Sequence, residues 1–121
     1  MNPIDKAVHA ARFASDKKGE EITVLDLQGV CTFTDAFVVV TGTTSVQLRA
    51  MAESIKLGIA DMEKGERPII EGDQHASWIV MDYGDIFVHL MDPEAREFYD
   101  LESLWGDGKT VEWETAEVGE H

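Results

Sequence analysis

The chain has 121 residues, of which 24 are Asp or Glu and 10 are Lys or Arg, so its formal net charge is −14. A chain of this length suits one domain with one hydrophobic core, and no apolar run approaches the roughly 20 residues that a membrane-spanning helix needs. The acidic excess argues against direct binding to a nucleic-acid backbone, which depends on Lys and Arg, and it favours either a basic protein partner or solubility alone.

The N-terminal part predicts a helix followed by two strands. Asn2 can cap the helix, Pro3 suits its first position, and Gly19 is a natural stop. Residues 22–27 then read as a strand. The continuous β-branched run within residues 36–41 predicts a central strand that is covered on both faces.

A second helix is predicted to follow that strand. Thr44 and Gln47 have the spacing of a capping box. The segment Gly42 to Ser45 also joins a strand to a helix N-terminus, where backbone amides favour anions. Phosphate binding is therefore an alternative for this segment, but capping accounts for Thr44 and Gln47 and is the preferred interpretation.

The C-terminal part predicts three more strands and short helices. Residues 69–70 form a short strand candidate, and residues 78–81 and 86–91 form a hairpin in which Gly84 supplies the positive φ of a tight turn. Asp92 then caps a helix that begins with a proline, and another helical turn follows. The fold class is therefore α/β, with a mixed five-stranded sheet and helices packed on it.

We assign residues 1–106 to a single α/β domain and residues 107–121 to an acidic, weakly ordered C-terminal tail. The N-terminal sequence has no signal-peptide hydrophobic block, and Cys31 is the single cysteine, which suits a reducing compartment. We therefore expect a cytoplasmic protein.

Catalytic and metal chemistry find little support in the sequence. No two histidines have the i, i+4 spacing that places metal ligands on one helix face, and no base lies beside Cys31 in the sequence. Metal-dependent phosphoryl transfer usually places two acids two residues apart on one strand, whereas Asp82 and Asp85 flank a turn. We expect no enzyme activity, no metal and no cofactor.

The hairpin is the best candidate for a functional surface, because large amphipathic aromatics and acids are typical of protein interfaces. The period of a strand separates its side chains onto two faces: Ile79, Met81 and Tyr83 on one, and Trp78, Val80 and Asp82 on the other. Trp78 fits a core position and an interface position equally well. Tyr83, with its flanking acids, favours the interface.

Five segments of the chain also carry a resemblance to a known family. They are D-K-K-G-E-E-I-T-V-L-D-L (16–27), T-D-A-F-V-V-V-T-G-T-T-S (34–45), E-G (71–72), W-I-V-M-D-Y-G-D-I-F-V-H (78–89) and R-E-F-Y-D-L-E-S-L-W (96–105). Their order and spacing together, rather than any single motif, resemble the ribosomal silencing factors, the bacterial members of the Iojap group. The resemblance covers almost the whole chain up to Trp105.

The resemblance implies a fold like that of nucleotidyltransferases, without catalytic residues. It also implies a translational repressor that binds the large ribosomal subunit through its ribosomal protein fourteen. Occupying that face sterically blocks subunit joining and lowers translation when nutrients are scarce. Many members of the family are homodimers when free, so a homodimer is expected here.

The resemblance also implies which residues bind the partner. The main set is Trp78, Met81, Asp82, Tyr83 and Asp85, and the second set is Arg96, Glu97 and Tyr99. The aromatics are expected to fill apolar depressions on the partner, and the acids to pair with its Lys and Arg. A further group is assigned to packing: Phe98, Leu101, Leu104 and Trp105. Val46 departs from the family, which often has a basic residue at this position.

Two other functions remain open at the level of sequence. The first is a nucleotidyltransferase-like enzyme or nucleotide-binding protein that uses Gly42 to Ser45. The second is a hairpin that serves the homodimer instead of the ribosome.

Overall fold

A computed structural model of the chain describes residues 1–72 and 75–118. The helices are α1 (Pro3–Asp16), α2 (Ser45–Met62), α3 (Pro93–Tyr99) and α4 (Leu101–Leu104). The strands are β1 (Glu20–Asp26), β2 (Ala36–Thr41), β3 (Ile69–Glu71), β4 (Trp78–Asp82), β5 (Ile86–Met91) and β6 (Lys109–Val111). Within these residues, no helix combines the length and the apolar character that crossing a bilayer requires.

The strands form one mixed sheet in the order β3-β4-β5-β2-β1-β6. Strands β2 and β5 are parallel, and every other neighbouring pair is antiparallel. The predicted α/β class and mixed sheet are confirmed. All six residues of β2 are buried, which confirms a central strand covered on both faces. The likeness to nucleotidyltransferases stays a prediction.

The predicted number of five strands is wrong, because the described residues form six. Strand β6 pairs antiparallel with β1, and it lies in the segment that the sequence assigned to the tail. Beyond it, the Trp113 Nε1 donates a hydrogen bond to the Ile22 carbonyl at 3.1 Å, and the Arg12 Nη2 donates to the Ala116 carbonyl at 2.6 Å. Residues 119–121 of the predicted tail lie outside the described residues.

Helix α1 begins and packs as its sequence predicts. The Asn2 side chain accepts a hydrogen bond from the Asp5 amide at 2.9 Å, which satisfies one donor of the first turn. Ala7, Ala11 and Ala14 are fully buried. Because their side chains are small, the helix lies close against the sheet.

Helix α2 is capped and fits closely against α1. The Thr44 hydroxyl accepts a hydrogen bond from the Gln47 amide at 3.1 Å, and the Gln47 side chain accepts one from the Thr43 amide at 2.8 Å. A Cβ atom on Gly58 would lie only 2.4 Å from the Phe13 ring. The glycine costs the helix about 1 kcal/mol in propensity, but it makes room for this ring.

The two faces of the sheet are covered unequally. Helices α1 and α2 cover one face, and the core there is formed by Val24, Val38, Val40, Ile55, Met81, Val88 and Leu90. Helices α3 and α4 lie on the other face, where Ala95, Leu101 and Trp105 pack on Leu25, Phe37, Val39 and Met91. These partners belong to β1, β2 and the end of β5. The β3–β4 side of the second face is left more open.

Candidate partner-binding surface

The structure divides the predicted binding residues between the two faces of the sheet. Strand β4 alternates as the sequence predicts: Ile79 and Met81 pack in the core beneath α1 and α2, whereas Trp78 packs with the cluster beneath α3 and α4. Tyr83 lies at the hairpin turn and packs against the first core. The predicted residues therefore form two separate patches, one at the hairpin turn and one around Trp78.

Met81 is not part of either surface. Its side chain is 0% exposed and lies in the core between the sheet and the helices. The family resemblance had carried it into the binding set together with Trp78 and Tyr83. This assignment is corrected, since a fully buried side chain cannot contact a partner.

The first patch is the hairpin tip, which we define as Asp82, Tyr83 and Asp85. The ammonium group of Lys6 on α1 reaches the tip, with its Nζ 2.9 Å from the Asp85 carboxylate and 4.8 Å from the centre of the Tyr83 ring. The same Nζ pairs with Glu66. The tip is therefore held against α1 by charge and by a cation–π contact.

Other groups of the tip also interact within the chain. The Asp82 carboxylate accepts a hydrogen bond from the Gly84 amide at 2.7 Å, which stabilises the turn. Burial, with a smaller contribution from Glu66, raises the pKa of the Tyr83 hydroxyl, so it stays protonated at neutral pH. Asp82, Tyr83 and Asp85 are all only partly exposed. The tip is thus less available to a partner than its sequence predicts.

The second patch begins at Trp78, whose indole contacts the side-chain rings of His89 and Tyr99. Its Nε1 donates a hydrogen bond to the Nδ1 of His89 at 3.1 Å. The centre of the Tyr99 ring lies 4.5 Å from that of the indole. Burial lowers the pKa of His89 to about 4, so the imidazole is neutral at pH 7 and its Nδ1 can accept this bond.

The second patch continues onto α3, where two aromatic side chains are exposed. Phe98 is 79% exposed and Tyr99 is 49% exposed, and their ring centres are 5.0 Å apart. Phe98 was assigned to packing, and this assignment is wrong. Ala95 is the buried residue of this short helix, and Phe98, three residues further along, is not among the residues that pack on the second cluster.

The remaining packing assignments divide in the same way. Leu101 and Trp105 pack against the second cluster, as predicted, and their spacing of four places them on one helical face. Leu104, adjacent to Trp105, is 70% exposed, which contradicts its assignment. Helical spacing alone does not separate Leu104 from Leu101, because residues three apart also lie on one helical face, so the exposure of Leu104 could not be predicted from the sequence.

Arg96 belongs to the structure of the α3 region rather than to its free surface. Its guanidinium donates at 3.1 Å to the Glu102 carboxylate and to the hydroxyls of Thr23 and Thr41, and its side chain is only 10% exposed. Arg96 therefore ties α3 to β1 and β2, which corrects its assignment as a partner contact. Glu97, the next residue, is exposed.

We call the second patch the aromatic surface and define it as Trp78, Val80, Glu97, Phe98 and Tyr99. Two shallow depressions lie along it. One is lined by Ser77, Asp92, Glu94, Ala95, Phe98 and Tyr99, and the other by Glu71, Gly72, Trp78 and Val80. Both depressions combine apolar walls with carboxylates, a chemistry that suits Lys, Arg and aliphatic side chains of a protein partner.

The alternative site at the start of α2 is occupied by the chain's own hydrogen bonds. The Gly42 amide donates to the Met91 carbonyl at 2.9 Å, and the amides of Thr43 and Gln47 donate to the capping side chains. These donors are not available to a phosphate. Across residues 1–72 and 75–118, no group of three or more His, Cys, Asp or Glu residues is arranged to hold a metal ion.

Comparison with known proteins places this geometry in context. A family model described as "Ribosomal silencing factor during starvation" matches residues 1–121. Ribosomal silencing factor RsfS of Halalkalibacterium halodurans is 35% identical over 105 residues, which cover 87% of this chain and 89% of the relative. Its counterpart from Haemophilus influenzae is 40% identical over 90 residues, covering 73% and 85%.

The similarity extends to plant proteins and to solved structures. The chloroplastic Iojap protein of Zea mays is 32% identical over 108 residues, which cover 88% of this chain and 46% of the plant protein. A crystal structure of a Chromobacterium violaceum protein matches with a TM-score of 0.76 and 31% identity, covering 85% of this chain and 86% of that one. One from Bacillus halodurans matches with a TM-score of 0.70 and 33% identity, covering 85% and 92%.

Proposed function

Because this chain belongs to the ribosomal silencing factor family, we propose that it represses translation by binding the large ribosomal subunit. The contact is made through ribosomal protein fourteen, on the face of the large subunit that meets the small one. A bound chain then sterically prevents subunit joining and lowers translation under nutrient limitation. The names of the bacterial relatives support the silencing role; the site and the steric block are our proposal.

The observation that carries this proposal is the exposed aromatic surface. Phe98 and Tyr99 present aromatic rings to solvent beside the partly exposed Trp78, and Tyr and Trp are the residues that most often dominate binding energy at interfaces. Exposed carboxylates, including that of Glu97, surround the rings. The net charge of −14 favours a basic partner, because complementary charge speeds encounter and fixes orientation.

The two patches have different roles in this proposal. The aromatic surface supplies the main contact, with Trp78, Phe98 and Tyr99 at its centre and Glu97 at its rim. The hairpin tip lies at the other end of β4 and supplies a secondary contact through Asp82, Tyr83 and Asp85. Met81 and Arg96 act only by supporting the fold, since Met81 is buried and the Arg96 guanidinium is engaged by Glu102, Thr23 and Thr41.

Co-sedimentation with purified large ribosomal subunits tests the proposal. We expect Trp78→Ala to abolish co-sedimentation and Tyr83→Ala to weaken it, while both variants stay folded by circular dichroism. Leu57→Ala is the matched control, because Leu57 is an apolar residue of α2 that is 60% exposed and lies over the opposite face of the sheet. Undiminished binding by Trp78→Ala contradicts the proposed surface.

A subunit-joining experiment tests the mechanism separately from the binding. Large subunits incubated with the chain should form fewer complete ribosomes when small subunits and Mg²⁺ are added, and Trp78→Ala should restore joining. If the chain binds large subunits but joining is normal, the steric block is wrong while the binding site stands. Crosslinking of a photoreactive group at position 98 should label ribosomal protein fourteen.

Two other outcomes are distinguished by simple measurements. A nucleotide-binding protein would show a saturable rise in melting temperature with nucleotide and Mg²⁺, which we do not expect because the amides of Gly42, Thr43 and Gln47 are engaged within the chain. A homodimer formed through the aromatic surface would cover the residues that are proposed to bind the ribosome. In that case, the solution mass of the free chain would fall to that of a monomer in Trp78→Ala.

A further inference from the structure

His89 is an unusual residue for its position in the fold. It lies on the central strand β5, its side chain is 5% exposed, and the Phe37 ring centre lies 4.6 Å from its own. Phe87 packs beside it, with ring centres 6.4 Å apart. An apolar side chain would fill this aromatic pocket without the cost of removing a polar ring from water.

The hydrogen bond between the side chains of His89 and Trp78 is the feature that explains a histidine at this position. The Nδ1 accepts the bond from the Trp78 indole at 3.1 Å, which requires that the proton of the neutral ring sits on Nε2. That Nε2 is buried and has no hydrogen-bond partner among the described residues. The ring therefore leaves one buried donor unsatisfied, and the hydrogen bond that the structure gives it is the one that fixes the indole.

The register of the sheet explains how the buried His89 contacts the partly exposed Trp78. His89 pairs with Val80 across the β4–β5 ladder, and Trp78 is two residues further along β4 on the same face. Such diagonal neighbours lie within reach of large side chains. The Tyr99 ring also contacts the indole, so the tryptophan is held by His89 on β5 and by Tyr99 on α3.

We infer that His89 is a positioning residue, which presets the Trp78 indole in the orientation that the partner binds. This inference rests on the proposed function, because it assigns a role within the proposed binding surface. A half-buried tryptophan without this bond would sample several rotamers, and binding would then have to fix one of them. Fixing the side chain in advance removes that entropic cost from association.

A matched pair of substitutions separates positioning from packing. His89→Asn keeps an acceptor oxygen near the place of Nδ1, whereas His89→Leu has a similar branched shape and no acceptor. We expect His89→Leu to bind large ribosomal subunits about three- to tenfold more weakly than the wild type, the range that loss of one hydrogen bond and release of one side chain imply. His89→Asn should bind within about twofold of the wild type, since its acceptor restores the bond.

The stability of the two variants should rank in the opposite order. Leucine satisfies an apolar pocket, so His89→Leu should unfold at a higher urea concentration than His89→Asn, whose amide donors are buried. Weaker binding by the more stable variant is the result that a purely structural role for His89 does not produce. If the less stable variant is instead the one that binds more weakly, the inference is wrong.

The indole itself gives a readout that does not depend on the ribosome. In the two-dimensional ¹H–¹⁵N spectrum, the Trp78 Nε1 resonance is identified by its loss in Trp78→Phe. We expect this resonance to shift upfield and to exchange faster with solvent in His89→Leu, and to stay near its wild-type position in His89→Asn. An unchanged resonance in His89→Leu overturns the inference.

A double substitution completes the test. In the Trp78→Phe background no indole donor remains, so adding His89→Leu should weaken subunit binding no further, whereas two independent effects would add. If Trp78→Phe and Trp78→Ala both bind like the wild type, the proposed function is wrong at this surface. If these two bind weakly but His89→Leu binds like the wild type, only the role of His89 is wrong.

Discussion

The hairpin tip and the aromatic surface look alike in sequence but behave differently in the fold. Both combine an aromatic residue on or beside β4 with nearby acids. At the tip, the Tyr83 ring and the Asp85 carboxylate contact Lys6 on α1. At the aromatic surface, Phe98 projects into solvent and lies beside Tyr99. In these two regions, the availability of an acid-flanked aromatic residue thus depends on whether a cation of the same chain reaches it, which the local sequence does not indicate.

The largest expected effect is on how the free energy of unfolding depends on pH. It distinguishes the two regions, because a buried histidine, His89, packs beneath the aromatic surface and not beneath the hairpin tip. Burial lowers the pKa of His89 from 6.5 to about 4. Between these values the unfolded chain binds a proton that the folded chain does not, so this contribution to stability is complete above pH 6.5 and is lost as the pH falls to 4. The loss should reach about 3 kcal/mol.

Urea unfolding at pH 7 and at pH 4 measures this loss. Carboxylates also titrate in this range, so His89→Asn is the reference and the difference between the two proteins isolates the histidine. A difference below about 1 kcal/mol would show that His89 is protonated in the folded chain near its ordinary pKa.

The second prediction concerns Phe98, the exposed residue that the sequence assigned to packing. Phe98→Ser should weaken binding to large ribosomal subunits about 30-fold, equivalent to about 2 kcal/mol for a central aromatic contact. The free energy of unfolding should change by less than about 0.5 kcal/mol, because the ring contributes little to the core. Equilibrium binding and urea unfolding measure the two quantities. Leu104→Ser is the control and should bind normally, because Leu104 is an exposed apolar residue of α4 outside the aromatic surface.

The third prediction reverses that pattern at the hairpin tip. Lys6→Met removes the cation shared by Asp85 and Glu66, and it should lower the free energy of unfolding by about 2 kcal/mol. This is less than a fully buried pair would lose, since the two carboxylate side chains are 34% and 31% exposed. Binding to large subunits should change by less than about threefold. A large loss of binding with normal stability would move the main contact to the tip.

The smallest expected effect is electrostatic. Glu97→Gln removes one exposed charge from the rim of the aromatic surface and should slow association about twofold at low salt, with no difference at high salt. Stopped-flow association rates at two salt concentrations measure it. Glu20→Gln is the matched control, because Glu20 is an exposed acid of β1, which lies three strands from β4 in the sheet.

Local signals in the sequence predicted most of the fold. Asn2, Thr44 and Asp92 cap the helices whose starts they predicted, and the β-branched run gave the bounds of β2. Strand β6 escaped prediction because it is only three residues long and is stabilised by pairing with β1. That pairing depends on a distant part of the chain, which no local pattern reports.

The sequence predicted the face of each binding residue better than its exposure. The alternation along β4 placed Trp78 and Met81 on opposite faces, and this is confirmed. Whether a face is covered depends on which helix packs over it, so Met81 was taken as exposed and Phe98 as buried. Arg96 was expected to contact the partner on the family resemblance, and its hydrogen-bond partners on β1 and β2 are distant in the sequence, so no local pattern indicated that it is engaged within the chain.

The pairing of β6 with β1 joins the last of the described strands to the first. During translation, one edge of β1 therefore stays unpaired until residues 109–111 have left the ribosome. An open strand edge is a template for pairing with other chains. This member of the ribosomal silencing factor family thus completes the β1 side of its sheet only after residues 109–111 have been translated, and a chain that is stalled or truncated before them would carry an aggregation-prone edge.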